Sequence, residues 1–245
     1  MSPVQIAKEV INQLAPSGTL DAGINLSNPL LVTGRGPAGE PTGVSPDMAA
    51  AIAERLGVPV RYRTYERAGD TADAVGECGI VLVGSEPQRA QTIAFSPAYV
   101  EIESTYLVPA GSPLKAIADI DRPGVRIAVA ARAAYDLWLE RNIRHATLVR
   151  VDGLDAAFAQ FKAEKLEALA GLRPALLPQA ALLPGSRILD GQFTAVLQAI
   201  GTAKANTAAA AFISDFVEEA KASGLVARLI AKHSVNGLTV AQPAA

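Results

Sequence analysis

Arg89 is the residue of this 245-residue chain whose type and position speak most directly of chemistry. It follows Gly79 to Gly84, an apolar run bounded by glycines as a strand buried on both faces would be. Pro87, two residues before it, suits the first position of a helix. A cation in a helix's first turn opposes the macrodipole, so stabilising that helix is not its role. A guanidinium fork can instead grip a carboxylate through two parallel charge-assisted hydrogen bonds. The competing reading is a surface ion pair with Glu86, three residues earlier. Arg173 follows a second buried run, Leu166 to Leu172, and admits the same pair of readings. Glu103 lies inside a strand pattern, where a carboxylate is either edge-exposed or lines a cleft.

Other chemistries find less support. His145 and His233 have no carboxylate or nucleophile near them in sequence and read as solvated or packing residues. Cys78 is the one cysteine, which excludes an intramolecular disulfide and the cysteine pairs of a structural zinc site, and it reads as a small hydrophobe in a buried strand. Gly34 to Gly39 spells G-x-G-x-x-G, but Pro37 and Pro41 interrupt it and the next helix starts only near Ser45, so it reads as a turn and not a phosphate cradle. No P-loop, nucleophile-elbow or zincin motif occurs. No cofactor and no metal are expected. Tyr135 and Trp138 lie three apart on a helix, where core packing is the favoured role for Trp138.

The elements that must position these residues follow from periodicity. Ile6, Val10, Ile11 and Leu14 have helical spacing, stopped at Pro16-Ser17-Gly18 before the strand-like Thr19 to Leu26. A Gly- and Pro-rich loop, Ser27 to Gly43, precedes a helix from Ser45 to Leu56 with Met48, Ile52 and Leu56 on one face, Asp47 in its first turn and Gly57 after its end. Strands are predicted at 59–65, 79–84, 101–109, 125–130, 146–151, 166–172, 187–189 and 196–202. Helices are predicted at 134–142, 156–164, 207–222 and 225–233, with a loose tail from Ser234. Alternating strands and helices imply α/β layers with mostly parallel sheets. Ligands of such sheets bind beyond the carboxyl ends of the strands, where following helices point their first N–H groups. That rule makes Asn25, Asn28, Ser85, Arg89 and Arg132 candidate site residues.

The chain carries 22 basic and 24 acidic residues, a formal charge of -2, with a pI of about 5.8. No basic field exists to release counterions from a nucleic acid, and anionic membranes are poor partners too. Half the residues are apolar and 19% are charged, as in a folded globular protein. No apolar run reaches the length of a membrane span. The opening stretch, Met1 to Leu20, carries Lys8 and Glu9 and lacks the basic and apolar regions of a signal peptide.

Several segments together resemble the type II periplasmic solute-binding proteins of ABC transporters, in particular the amino-acid-binding family 3. They are Gly43 to Ala49 with Ile52 to Gly57, Pro87-Gln88-Arg89 with Ile93 to Tyr99, Leu107-Val108-Pro109 with Gly111-Ser112-Pro113, Gly124 to Val129, and Ala222 to Leu225 with Lys232. The resemblance implies two α/β lobes joined by hinge strands, about 104–109 and 195–202. Residues 1–103 with 203–245 would form lobe one, and 110–194 lobe two. A small carboxylate or amino acid would bind between the lobes and close them. Arg89 would hold the ligand carboxylate, assisted by groups around Gly84 and Ser85, with Tyr99, Glu103, Arg132, Tyr135 and Arg173 as further ligand-binding candidates.

The chain also departs from that pattern. Where family members place an ammonium-binding Asp at the end of a lobe-two strand, this chain has Leu172 followed by Arg173. The small hydroxyl residue usual in the first turn of the lobe-two helix is replaced by Ala133, after Arg132, and the segment before Arg89 is two residues shorter. These changes predict a retained carboxylate clamp and a lost standard ammonium site, leaving a small carboxylate, or an amino acid whose ammonium pairs with Glu103 or Glu86. The resulting expectation is a noncatalytic monomeric receptor with an ABC transporter permease as partner. It would be periplasmic by resemblance, or cytoplasmic if the chain natively begins at Met1. The alternative is a lyase on the same scaffold, resembling cyclohexadienyl dehydratases, with Glu103 as general acid and arginines holding a prephenate-like dicarboxylate.

Overall fold

A computed structural model describes residues 6–244; the first five residues of the opening stretch considered for export features lie outside the described residues. In chain order the elements are α1 (Lys8–Leu14), β1 (Leu20–Asn25), β2 (Gly34–Arg35), β3 (Pro41–Thr42), α2 (Val44–Leu56), β4 (Val60–Tyr65), α3 (Ala68–Asp73), β5 (Ile80–Gly84), β6 (Ile93–Phe95), β7 (Val100–Val108) and β8 (Arg126–Ala130). They continue as α4 (Ala134–Asn142), β9 (Thr147–Val151), α5 (Leu154–Ala163), β10 (Ala168–Leu172), α6 (Arg173–Ala181), β11 (Arg187–Ile188), β12 (Thr194–Ala203), α7 (Thr207–Ala222), α8 (Leu225–Lys232) and β13 (Thr239–Val240). The chain divides into two compact units: one runs to Val100 and resumes at Leu197, the other is Glu101–Val196.

In the first unit the strands lie in the order β4-β1-β5-β12. β1 is parallel to both neighbours, with Ile24 level with Leu82, whereas β12 runs antiparallel to β5 and to β6. All five residues of β5 are buried, which explains their unbroken apolar character. α2 covers this sheet with Val44, Met48, Ile52 and Leu56, four residues apart and all buried. Its ends carry their expected signals. Gly57 adopts a left-handed φ of 70° that closes the helix. At its start Gly43 has φ 147°, and a Cβ there would stand 2.2 Å from the carbonyl oxygen of Leu31, so no other residue fits.

In the second unit the order is β7-β10-β8-β9, with β10 antiparallel to β7 and parallel to β8, which is parallel to β9. β11 adds to the far end of β7, pairing Ile188 with Leu107. Leu107, Ala128, Phe158, Phe161, Leu166, Leu169 and Leu176 form the core beneath α5 and α6.

Gly34 to Gly39 forms a turn, as read from the sequence: Gly34 pairs with Thr42, and the Glu40 carboxylate accepts from the Ala38 N–H. Four local expectations are corrected. Cys78 is buried but precedes β5 instead of lying within a strand. Pro87 and Arg89 introduce a single 3-10 turn, Arg89–Gln91, not a helix, so the macrodipole has no bearing on Arg89. The tail from Ser234 carries β13. α6 is an additional helix that periodicity missed because Pro174 and Pro178 fall within it.

Candidate functional site

Two strand-end edges gather the candidate residues. In the first unit the parallel register of β1 and β5 brings Asn25 and Gly84 to the same end of the sheet. Asn25 is buried, and its Oδ1 accepts from the Ser27 amide at 3.0 Å and from the Ser27 hydroxyl at 2.6 Å. Asn28, also buried, accepts from the Leu30 amide at 3.1 Å. Both asparagines shape the turn through their side-chain oxygens, which directs their remaining capacity to the NH2 donors.

The Ser85 N–H donates to the Leu197 carbonyl at 2.7 Å and so continues the ladder with β12. Arg89 is 7% exposed, and its Nη1 donates to the Gly84 carbonyl at 2.7 Å. The guanidinium thus lies against the end of β5. Tyr99 is fully buried, with its hydroxyl 2.8 Å from Ser45 Oγ, and burial pushes its ionisation far above the ordinary tyrosine range. That contact ties the segment before β7 to the first turn of α2 and commits the Tyr99 hydroxyl to packing.

In the second unit the ends of β8, β9 and β10 lie beside the start of β7, with Leu172 level with Ser104. Arg132, between β8 and α4, is held at φ 59°, a conformation unusual for a side-chain-bearing residue. Its N–H donates to Asp136 Oδ2 at 2.8 Å, and Asp136 Oδ1 accepts from Arg150 Nε at 2.8 Å. Asp136 is 2% exposed. Burial raises its carboxyl above the usual range, against the lowering by those two donors. Tyr135 is buried behind it, and desolvation raises its hydroxyl as well.

Arg173 and Glu103, considered separately in sequence, are partners: Arg173 Nε donates to Glu103 Oε2 at 2.7 Å. Arg173 Nη2 also donates to the carbonyls of Leu189 and Gly191, pinning the loop before β12. Close by, Phe193 donates its N–H to the Ser104 carbonyl, and its ring centroid lies 4.5 Å from Tyr106 and 5.4 Å from Trp138. Ser104 is fully buried, and its hydroxyl has no hydrogen-bond partner among the described residues.

One cluster was not foreseen. His233 Nε2 stands 2.8 Å from Asp47 Oδ2, which also accepts from Lys232 Nζ at 2.7 Å, so a carboxylate distant in sequence does reach a histidine. Asp47 in the first turn of α2 thereby anchors the end of α8. Among the described residues no group of three or more His, Cys, Asp or Glu side chains is placed to hold a metal ion, and no helix is long and apolar enough to cross a membrane.

Comparisons with known proteins agree on one architecture. A crystal structure of the P235GK mutant of ArgBP from T. maritima is similar at a TM-score of 0.74 and 22% identity, covering 92% of this chain and 99% of that one. The solute receptor for L-cysteine of Neisseria gonorrhoeae is similar at a TM-score of 0.78 and 19% identity, covering 96% of this chain and 100% of that one. The ancestral amino acid-binding protein AncCDT-1, a precursor of cyclohexadienyl dehydratase, is similar at 0.73 and 21% identity, covering 91% of this chain and 98% of that one. A search of curated proteins finds no match. The fold is the two-lobe α/β fold of type II periplasmic binding proteins. With the family's sequence profile matching residues 20–236, the chain belongs to the bacterial extracellular solute-binding proteins, family 3.

Proposed function

We propose that the protein is a noncatalytic receptor for a small carboxylate-bearing, amino-acid-like solute, whose carboxylate is held by Arg89. The observation that carries this reading is a buried guanidinium at the end of β5, on the same sheet edge as Asn25. A guanidinium has five N–H donors in a fixed fork, and the Gly84 carbonyl accepts from one of them, on Nη1. With the Asn25 amide and the Ser85 hydroxyl on that edge, the chemistry is that of anion binding. The family supports the receptor reading, and similar proteins are described as amino acid ABC transporter substrate-binding proteins. We read this chain as such a component, working outside the cytoplasm with a permease as partner.

The lyase reading asks Glu103 to serve as general acid. Glu103 instead accepts a hydrogen bond from Arg173, whose other contacts fix a loop, so the pair reads as an architectural brace. A thermal-shift and calorimetric panel of amino acids, dicarboxylates and aromatic oxo acids tests the proposal. Binding of one carboxylate class, lost in Arg89→Ala, is expected. Unchanged binding in Arg89→Ala overturns the assignment of Arg89, and turnover of prephenate or arogenate restores the enzyme reading.

A further inference from the structure

We infer that Glu86 is the group that accepts the ammonium of an α-amino acid whose carboxylate Arg89 holds, so that the end of β5 selects a zwitterion over a simple anion. The inference rests on the receptor reading above and names what decides between solutes at that same site. Glu86 and Arg89 both lie in the first unit and are 8% and 7% exposed, an acid and a base withdrawn from water together. They belong to one turn. The Ser85 N–H makes the last bond of the ladder to β12, and the Ala90 N–H donates to the Glu86 carbonyl at 2.9 Å, so residues 86–90 form a single helical turn directly beyond the strand. Side chains three apart on such a turn are neighbours. Arg89 is pinned on it by its bond to the Gly84 carbonyl. An ion pair at the surface, the competing sequence reading, does not describe two residues buried in this way.

Charge balance then discriminates between solutes. Buried charge is tolerated when it is compensated and is strongly unfavourable when it is not. A simple carboxylate bound at Arg89 brings a second negative charge beside Glu86 and leaves one in excess. A zwitterion brings one charge of each sign, and the balance is kept. Its carboxylate and ammonium stand on the same carbon, as close together as a guanidinium and a carboxylate on one turn, with the signs reversed. Both protein groups are already engaged within the chain, but a carboxylate has about four lone-pair sites and a guanidinium five N–H donors, so each can serve several partners. Of the two carboxylates that the sequence offers for an ammonium, Glu103 is bound by Arg173, whose remaining donors fix a loop. Glu86 is the one that shares a turn with the carboxylate clamp.

The test is isothermal titration of the purified full chain with the standard L-amino acids and their 2-hydroxy acids, which keep the carboxylate and side chain and replace the ammonium by a hydroxyl. The amino acid of a binding pair is expected to bind at least about 10-fold tighter than its hydroxy acid. Glu86→Gln, which keeps the shape but not the charge, should erase that ratio by weakening the amino acid while the hydroxy acid binds as tightly as before or more so. A general loss of packing would weaken both. If Glu86→Gln does not fold, the ratio is read in Glu86→Asp, whose shorter reach should lower it. Hydroxy acids that match their amino acids in the wild type, or a preference that survives in Glu86→Gln, overturn this inference and leave the receptor reading standing where binding is lost in Arg89→Ala. Glu86→Gln that strengthens both members of a pair alike would make Glu86 an internal counter-ion occupying Arg89, and overturns it too. Absence of binding by every member of both classes, or binding indifferent to Arg89→Ala, overturns the inference and the receptor reading together.

Discussion

The guanidinium of Arg89 donates to the carbonyl of Gly84 across 2.7 Å, so the last residue of β5 aims the side chain that follows it. A lysine could keep the charge but not the arrangement, because an ammonium has no fork with which to hold the carbonyl and face a carboxylate at once. Arg89→Lys is therefore expected to weaken carboxylate binding by about 10-fold or more while far-ultraviolet circular dichroism is unchanged. Titration that returned wild-type affinity would show that charge alone suffices.

The Arg173 brace predicts a local effect. The ion pair itself is half exposed, with Glu103 at 58%, and contributes little by its charge. The two carbonyl contacts matter more, so Arg173→Ala should destabilise by about 1–2 kcal/mol and raise amide exchange across 189–193. Glu103→Gln, which retains an acceptor oxygen, should leave that exchange close to wild type. Equal exchange in Arg173→Ala would mean the loop is held by other contacts.

Ser104 offers a stabilising substitution. Its hydroxyl is fully buried without a partner among the described residues, and such a group carries a desolvation penalty. Ser104→Ala should be neutral or raise stability by up to about 1 kcal/mol, a midpoint shift of roughly 2 to 4 °C. A clear loss of stability would reveal a partner for the hydroxyl.

Acid should destabilise the protein in a definite sense. Hydrogen bonding from Arg61 holds Asp21 below the usual carboxylate range despite partial burial, with Arg63 adding to it, and Arg126 does the same for Glu167. A carboxyl whose folded pKa is lower than its unfolded pKa stabilises the protein above the unfolded value, about 4. That contribution disappears as pH falls through the folded value. Denaturant midpoints should therefore decline below about pH 4, and Asp21→Asn should flatten the decline. Asp136, raised by burial, works in the opposite direction: ionising it as pH rises removes stability.

Much of the architecture was legible locally. α2, α4 and α7 follow from apolar residues at helical spacing, and β5, β8 and β10 from short apolar runs between turn residues. Arg89 and Asn25 were expected at strand ends from position alone, and β1 and β5, lying side by side and parallel, end together there. The short 3-10 turn at Arg89 and the helix α6 were not legible, because prolines at 87, 174 and 178 give ambiguous local signals.

By itself the sequence determined the alternation of elements, the slightly acidic charge balance of the chain, and a candidate anion-binding arginine after a buried strand. These properties depend on periodicity and composition within a few residues. Only the tertiary structure decided which side chains are partners. Arg173 meets Glu103 across 70 positions, Tyr99 meets Ser45 across 54, and His233 meets Asp47 across 186. Such pairs arise when strand order and register bring distant ends together, and no local propensity carries that information.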